Sequence, residues 1–98
     1  MEMVTVMARV KAKPDFAADV RQECLALVAP SRLEAGCLSY DLYGAAGDPN
    51  LFVFFEWWES RADIDRHLES RHCVEFDERT ADMLDEPEEI IFCEPIAA

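Results

Sequence analysis

Residues 51–58, Leu-Phe-Val-Phe-Phe-Glu-Trp-Trp, constrain this chain more than any other segment. Every side chain but Glu56 is apolar or aromatic, and a polar, turn-forming stretch precedes them, so they read as a strand. Alternation puts Leu51, Val53, Phe55 and Trp57 on one face and Phe52, Phe54, Glu56 and Trp58 on the other. Helices of one small domain cover one face of an antiparallel sheet, and the other face meets water. An uncovered face with two Phe and a Trp would expose roughly a few hundred Å2 of apolar surface, more than soluble monomers usually show. A second copy or a bound apolar molecule must cover it. The reading adopted places the helices on the Val53/Phe55 face. The Phe52/Phe54/Trp58 face then joins a two-fold homodimer, sheet against sheet, around a cavity.

The other elements follow from periodicity. Residues 3–11 alternate, with Val4, Val6, Ala8 and Val10 against Met3, Thr5, Met7, Arg9 and Lys11, which reads as a strand. Pro14-Asp15 is a break and a candidate cap for a helix over 16–29, whose stripe is Phe16, Val20, Cys24, Leu27 and Val28. Pro30 is expected to end or kink that helix. Residues 37–43 alternate again, and 44–50 read as a turn, giving a hairpin with 51–58. Ser60, with Asp63 three residues on, caps the next helix. A phase shift near Glu69-Ser70 predicts two helical pieces, Pro87 stops them, and 89–94 is a last strand. The order β-α-β-β-α-β is the split βαβ of a ferredoxin-like α+β fold with an antiparallel sheet. The 98 residues read as a single domain, 1–98.

Nine Lys and Arg against 21 Asp and Glu leave a net charge of −12, which argues against nucleic acid or an anionic membrane as partner. Met1-Glu2-Met3-Val4 has no basic flank or long apolar run, so no leader and a cytoplasmic location are expected. The cysteines at 24, 37, 73 and 93 form no C-x-x-C pair and read as reduced and inert. His67 and His72, the only histidines, fall about 140° apart on a continuous helix, which is no helical clamp. No metal is therefore expected, although a break between them would bring them together.

Ser31-Arg32-Leu33-Glu34-Ala35-Gly36-Cys37-Leu38-Ser39-Tyr40 opens a run of motifs that continues with Asp48-Pro49-Asn50. Phe55-Glu56-Trp57-Trp58-Glu59-Ser60-Arg61 and His67-Leu68-Glu69-Ser70-Arg71-His72 follow. In this order and spacing, the chain resembles the antibiotic biosynthesis monooxygenase domain of the small quinol-monooxygenase type. The resemblance implies a dimeric α+β barrel of ferredoxin-like protomers. It also implies oxidation of a phenolic or quinol-type aromatic by O2 with no cofactor. Phenol-oxidising members carry an Asn four residues before the strand Trp, where this chain has Phe54.

Glu56 and His67 are the candidate catalytic groups, because a cofactor-free oxygenase needs a base to make a phenol anion. The other reading of Glu56 is an interface carboxylate paired with an Arg. Trp58 is a candidate stacking wall for a flat ligand. Phe52, Phe54, Tyr40 and His72 complete the expected lining, and Arg9 is placed to pair with Glu56 or hold an anionic substrate. Two further functions fit the same residues: a non-catalytic binder of a small apolar ligand, and an isomerase of a furanone-type signal that needs no O2.

Overall fold

The computed structural model describes residues 3–97. In β1 (Val4–Lys11), Val6, Ala8 and Val10 are buried, while Arg9 and Lys11 lie on the other face. A 3-10 turn at Pro14–Phe16 leads into α1 (Ala17–Arg32), which buries Val20, Cys24, Leu27 and Ser31. Asp15 caps nothing; the N-cap is Phe16, which has no side-chain capping bond. Of the two outcomes expected at Pro30, the helix does not end there: it runs on to Arg32. In the last turn, the proline forfeits only the hydrogen bond to the Ala26 carbonyl, and Ala26 is exposed to water. Arg32 Nε then donates to the Tyr40 carbonyl at 3.0 Å, tying the helix end to β2 (Cys37–Ala45).

β2 and β3 (Asp48–Trp58) pair further than the polar segment suggested, to Ala45 and Asp48. Ala46 and Gly47 are left as a two-residue turn with Gly47 at φ +85°, the positive φ that tight hairpins need. The Ser60 side chain accepts the Asp63 N–H at the start of α2 (Arg61–Leu68). Ser70 accepts the Cys73 N–H at the start of α3 (Arg71–Thr80). The expected break thus lies at Glu69-Ser70. β4 (Glu89–Cys93) completes a sheet of order β2-β3-β1-β4, antiparallel throughout. This is the ferredoxin-like α+β arrangement.

The helices cover the opposite face of β3 from the one expected. Phe52, Phe54, Glu56 and Trp58 are buried, whereas Phe55 and Trp57 are 44% and 46% exposed. The register explains it. Val10 pairs with Phe52, Ala8 with Phe54 and Val6 with Glu56, so the small residues of β1 and the large rings of β3 share a face. Arg9 and Lys11 pair with Val53 and Leu51 on the face that must stay near water. The uncovered aromatic patch exists, but it is built from Phe55, Trp57 and Tyr43, with the Tyr43 and Phe55 rings edge-on at 5.5 Å. No helix among the described residues is long and apolar enough to cross a membrane.

Candidate functional site

Between the sheet and the helices lies a cavity of about 100 Å3. An engineered apolar cavity of about 150 Å3 takes up benzene, so this space is on the scale of one small ring. Val6, Ala8, Leu27, Ile64 and Phe76 supply apolar wall. The polar lining is Tyr40, Glu56, His67, Cys73, Asp77 and Glu88, with no Lys or Arg.

Glu56 sits mid-strand because its neighbours on that face, Phe54 and Trp58, anchor β3 under the helices. Its Oε1 accepts the Trp58 indole N–H at 3.0 Å. Burial is the main force on its carboxyl and holds the pKa up at about 7, with Glu88 and Glu34 adding to the effect and the Trp58 bond opposing it. Burial likewise raises the Glu88 carboxyl to about 7.

His67 occupies the last turn of α2 and is 3% exposed. Its Nδ1 is 2.5 Å from Glu34 Oε2, and its Nε2 is 3.9 Å from Glu56 Oε1. A carboxylate on Nδ1 keeps the proton there and leaves the Nε2 lone pair facing Glu56 and the Cys73 thiol, 3.4 Å away. Burial lowers the His67 pKa, against the pull of Glu34, so the ring is neutral at pH 7. Tyr40 packs edge-on against His67 at 5.4 Å, and burial raises its pKa, so it stays a neutral hydroxyl.

Glu34 is held by the loop between α1 and β2. Gly36 makes that loop possible: at φ +84° it brings the chain so close to α2 that an added Cβ would stand 2.2 Å from Asp63 Cγ. The Gly36 carbonyl also accepts the Glu59 N–H at 2.8 Å. The break at Ser70 turns His72 back toward the same carboxylate, its Nε2 2.9 Å from Glu34 Oε2. The Ser70 hydroxyl donates to the His67 carbonyl at 2.6 Å, fixing the break.

Of the residues singled out in the sequence, the structure brings Glu56, His67 and Tyr40 to the cavity. Trp58 lies behind them, its ring 4.7 Å from His67, and holds Glu56 rather than presenting a stacking wall. Phe54 packs on Tyr40 at 5.3 Å, and Phe52 is buried further along the strand; neither lines the cavity. Arg9 is on the opposite face and pairs with Glu86, so it reaches neither Glu56 nor a ligand in this cavity. His72 faces Glu34 outside the cavity. The cavity itself lies under the helices, not between facing sheets. No local sequence pattern marks Glu34 or Glu88 as a site residue, and Cys73, which reads as inert, also lies at the cavity wall. Glu34 and its neighbour Gly36 stand in the E-A-G-C segment, whose glycine before a strand was the available signal.

The family model for antibiotic biosynthesis monooxygenases matches residues 3–79. A Synechocystis protein, named only as the uncharacterized sll1783, is 38% identical over 91 residues, 89% of this chain and 59% of that protein. The chain thus spans little more than half of that relative's length. Rv0793 of Mycobacterium tuberculosis, provisionally named a monooxygenase, is 34% identical over 95% of this chain and 91% of its own. Its solved structure matches with a TM-score of 0.90 at 32% identity, over 99% of this chain and 98% of that one. PA3566 from Pseudomonas aeruginosa matches with a TM-score of 0.92 at 35% identity, over 99% and 97%.

Proposed function

The chain belongs to the antibiotic biosynthesis monooxygenase family, and from that membership we propose that it is a cofactor-independent monooxygenase of a small phenolic or quinol-type aromatic. The observation that carries this reading is the Glu34–His67–Glu56 series, in which His67 and Glu56 are buried and Glu34 is partly exposed, with His67 Nδ1 2.5 Å from Glu34 and Nε2 3.9 Å from Glu56 at the cavity wall. Glu34 fixes the tautomer and stabilises the imidazolium that forms, the part an orienting carboxylate plays beside any histidine base. Nε2 takes the phenolic proton. The resulting anion is electron-rich enough to reduce O2. One oxygen atom bonds to a ring carbon as the O–O bond breaks, and the other leaves as water, taking back the proton held on His67 and the proton that this ring carbon loses; a simple phenol plus O2 gives a quinone plus water. Glu56, near neutrality in pKa, holds or releases a second proton beside the reacting oxygen.

A second copy of the chain is the proposed partner. It covers the Phe55/Trp57/Tyr43 face, sheet against sheet, and leaves each cavity inside its own protomer. Oxygen uptake with a panel of quinols tests the activity. Uptake above the spontaneous rate that disappears in His67→Ala supports it. No uptake with any quinol overturns it in favour of ligand binding without turnover, which tryptophan fluorescence would report.

A further inference from the structure

Beside the cavity, donors of metal-binding type converge from three segments. Glu34 comes from the α1–β2 loop, His67 from the end of α2, and His72 and Cys73 from the first turn of α3. One donor atom each from His67, His72 and Cys73 lies within 4.8 Å of the others. Glu34 Oε2 is 2.5 Å from His67 Nδ1 and 2.9 Å from His72 Nε2. We propose that these four side chains form a binding site for a divalent ion of the zinc class, which shuts off the His67 base when it binds.

The geometry is within reach. A tetrahedral zinc with bonds of about 2.0–2.3 Å holds its ligand atoms about 3.3–3.8 Å apart. The thiol must close by about an ångström at most, and the carboxylate must back away from the two rings by less than that. Two imidazoles, a thiolate and a carboxylate are a borderline-soft donor set that favours zinc or cobalt over magnesium or calcium. The two anionic ligands cancel the ion's charge, so the closed site is neutral overall, as a mostly buried position demands. Burial already favours the neutral His67 ring, which carries a single ring proton. The Cys73 thiol, pushed up to about 12 by burial, gives its proton to solvent as the sulfur–metal bond forms. Glu34 and His72 are the most open of the four, with side chains 18% and 23% exposed, which leaves an entry path from solvent.

The effect on the base follows from the tautomer. An ion on Nδ1 displaces the proton held by Glu34, and neutral imidazole then carries its proton on Nε2. That nitrogen can no longer accept one. The inhibition rests on the proposed oxygenase chemistry, while the site does not.

The test is cobalt titration into reduced, metal-free, untagged protein. One equivalent should bind and give a thiolate-to-cobalt charge-transfer band, which one equivalent of zinc displaces. Cys73→Ser should abolish the band. His72→Ala should weaken binding by more than the roughly tenfold to hundredfold that loss of an outer partner brings. No band on the unaltered protein overturns the proposal. So does a band that survives Cys73→Ser, since Cys24, Cys37 or Cys93 would then supply the sulfur. Should Cys73→Ser fail to fold, His72→Ala decides, and unchanged affinity there is equally fatal. Because the readout is spectroscopic, protein without oxygenase activity answers the question as well as active protein does.

Discussion

Glu56→Gln should make the protein more stable above neutral pH while removing its activity. Folding raises the Glu56 carboxyl from an ordinary 4.5 to about 7. A raised acid favours the fold in its protonated form. That advantage is complete below pH 4.5 and is lost as pH rises through about 7, when the buried group must ionise. At about 1.36 kcal/mol per tenfold, the loss comes to about 3 kcal/mol, nearly all of it by about pH 7.5. The Trp58 indole bond is already contained in that figure, because it acts on the carboxylate whose pKa was raised. Glutamine never ionises, its amide oxygen can accept the same indole N–H, and its amide nitrogen faces the lone pair on His67 Nε2. Urea unfolding at a fixed protein concentration, which matters if the protein dimerises, should therefore show little difference between variant and parent at pH 5. A gap should open between pH 5 and 7.5 and level off near 3 kcal/mol in favour of the variant. Turnover should fall about 100- to 10,000-fold, the range for loss of a general acid or base. A difference in stability that stays flat from pH 5 to 8.5 would refute the claim that burial without a cationic partner governs this carboxyl.

Three other substitutions separate neighbouring parts of the argument. Trp57→Lys should yield a folded monomer by sedimentation at micromolar concentration, whereas Phe54→Lys, at a position 1% exposed, should fail to fold at all. Glu34→Gln removes the negative charge that raises the His67 pKa while leaving an amide oxygen to accept from Nδ1. The acid limb of the pH profile should therefore move to lower pH, and kcat should fall more than KM rises. Gly36→Ala forces a side chain to φ +84° and into the Asp63 carboxylate, and should lower stability by about 2 kcal/mol in the same urea assay.

The order of elements was legible because each rests on local spacing: alternation in β1 and β2, an apolar run in β3 broken only by Glu56, a helical stripe in α1, the Ser60 cap of α2 and a phase shift ahead of α3. The face of β3 was not, although its determinant stood in the chain. Arg9 and Lys11 share one face of β1 and Val6, Ala8 and Val10 the other, but this decides the neighbouring strand only once the register pairs Ala8 with Phe54. A slip by one residue reverses every assignment. Glu56 weighed on the choice as well. A lone carboxylate in an apolar strand reads as facing an interface or solvent, whereas here Trp58 holds it inside and burial raises its pKa to about 7.

The same distinction divides the site. Glu56 and His67 stand out in one dimension, as the only acid in an aromatic strand and one of two histidines. Glu34 acts across a separation of 33 residues from His67, and no local pattern marks such a partner. The five-residue interval between His67 and His72 sets them apart only on an unbroken helix. Ser70 ends one helix and caps the next, and the change of direction between α2 and α3 brings the two rings to 5.9 Å, with Glu34 against both. A serine that reads as routine capping therefore decides which groups can share a proton. The break and the histidines are one device: without the turn at Ser70, Glu34 could hold His67 but could not also reach His72, and Cys73 would not face the ring. Ser70→Ala, which removes the cap and the bond to the His67 carbonyl, should cost about 1 kcal/mol in urea unfolding. It should also loosen the His72–Glu34 contact and move the His72 ring away from the His67 ring, which lies 5.9 Å from it, visible as loss of the ring-to-ring NOE by NMR. If the NOE between the His67 and His72 rings is the same with and without Ser70, the helix break is not what holds the two histidines on one carboxylate.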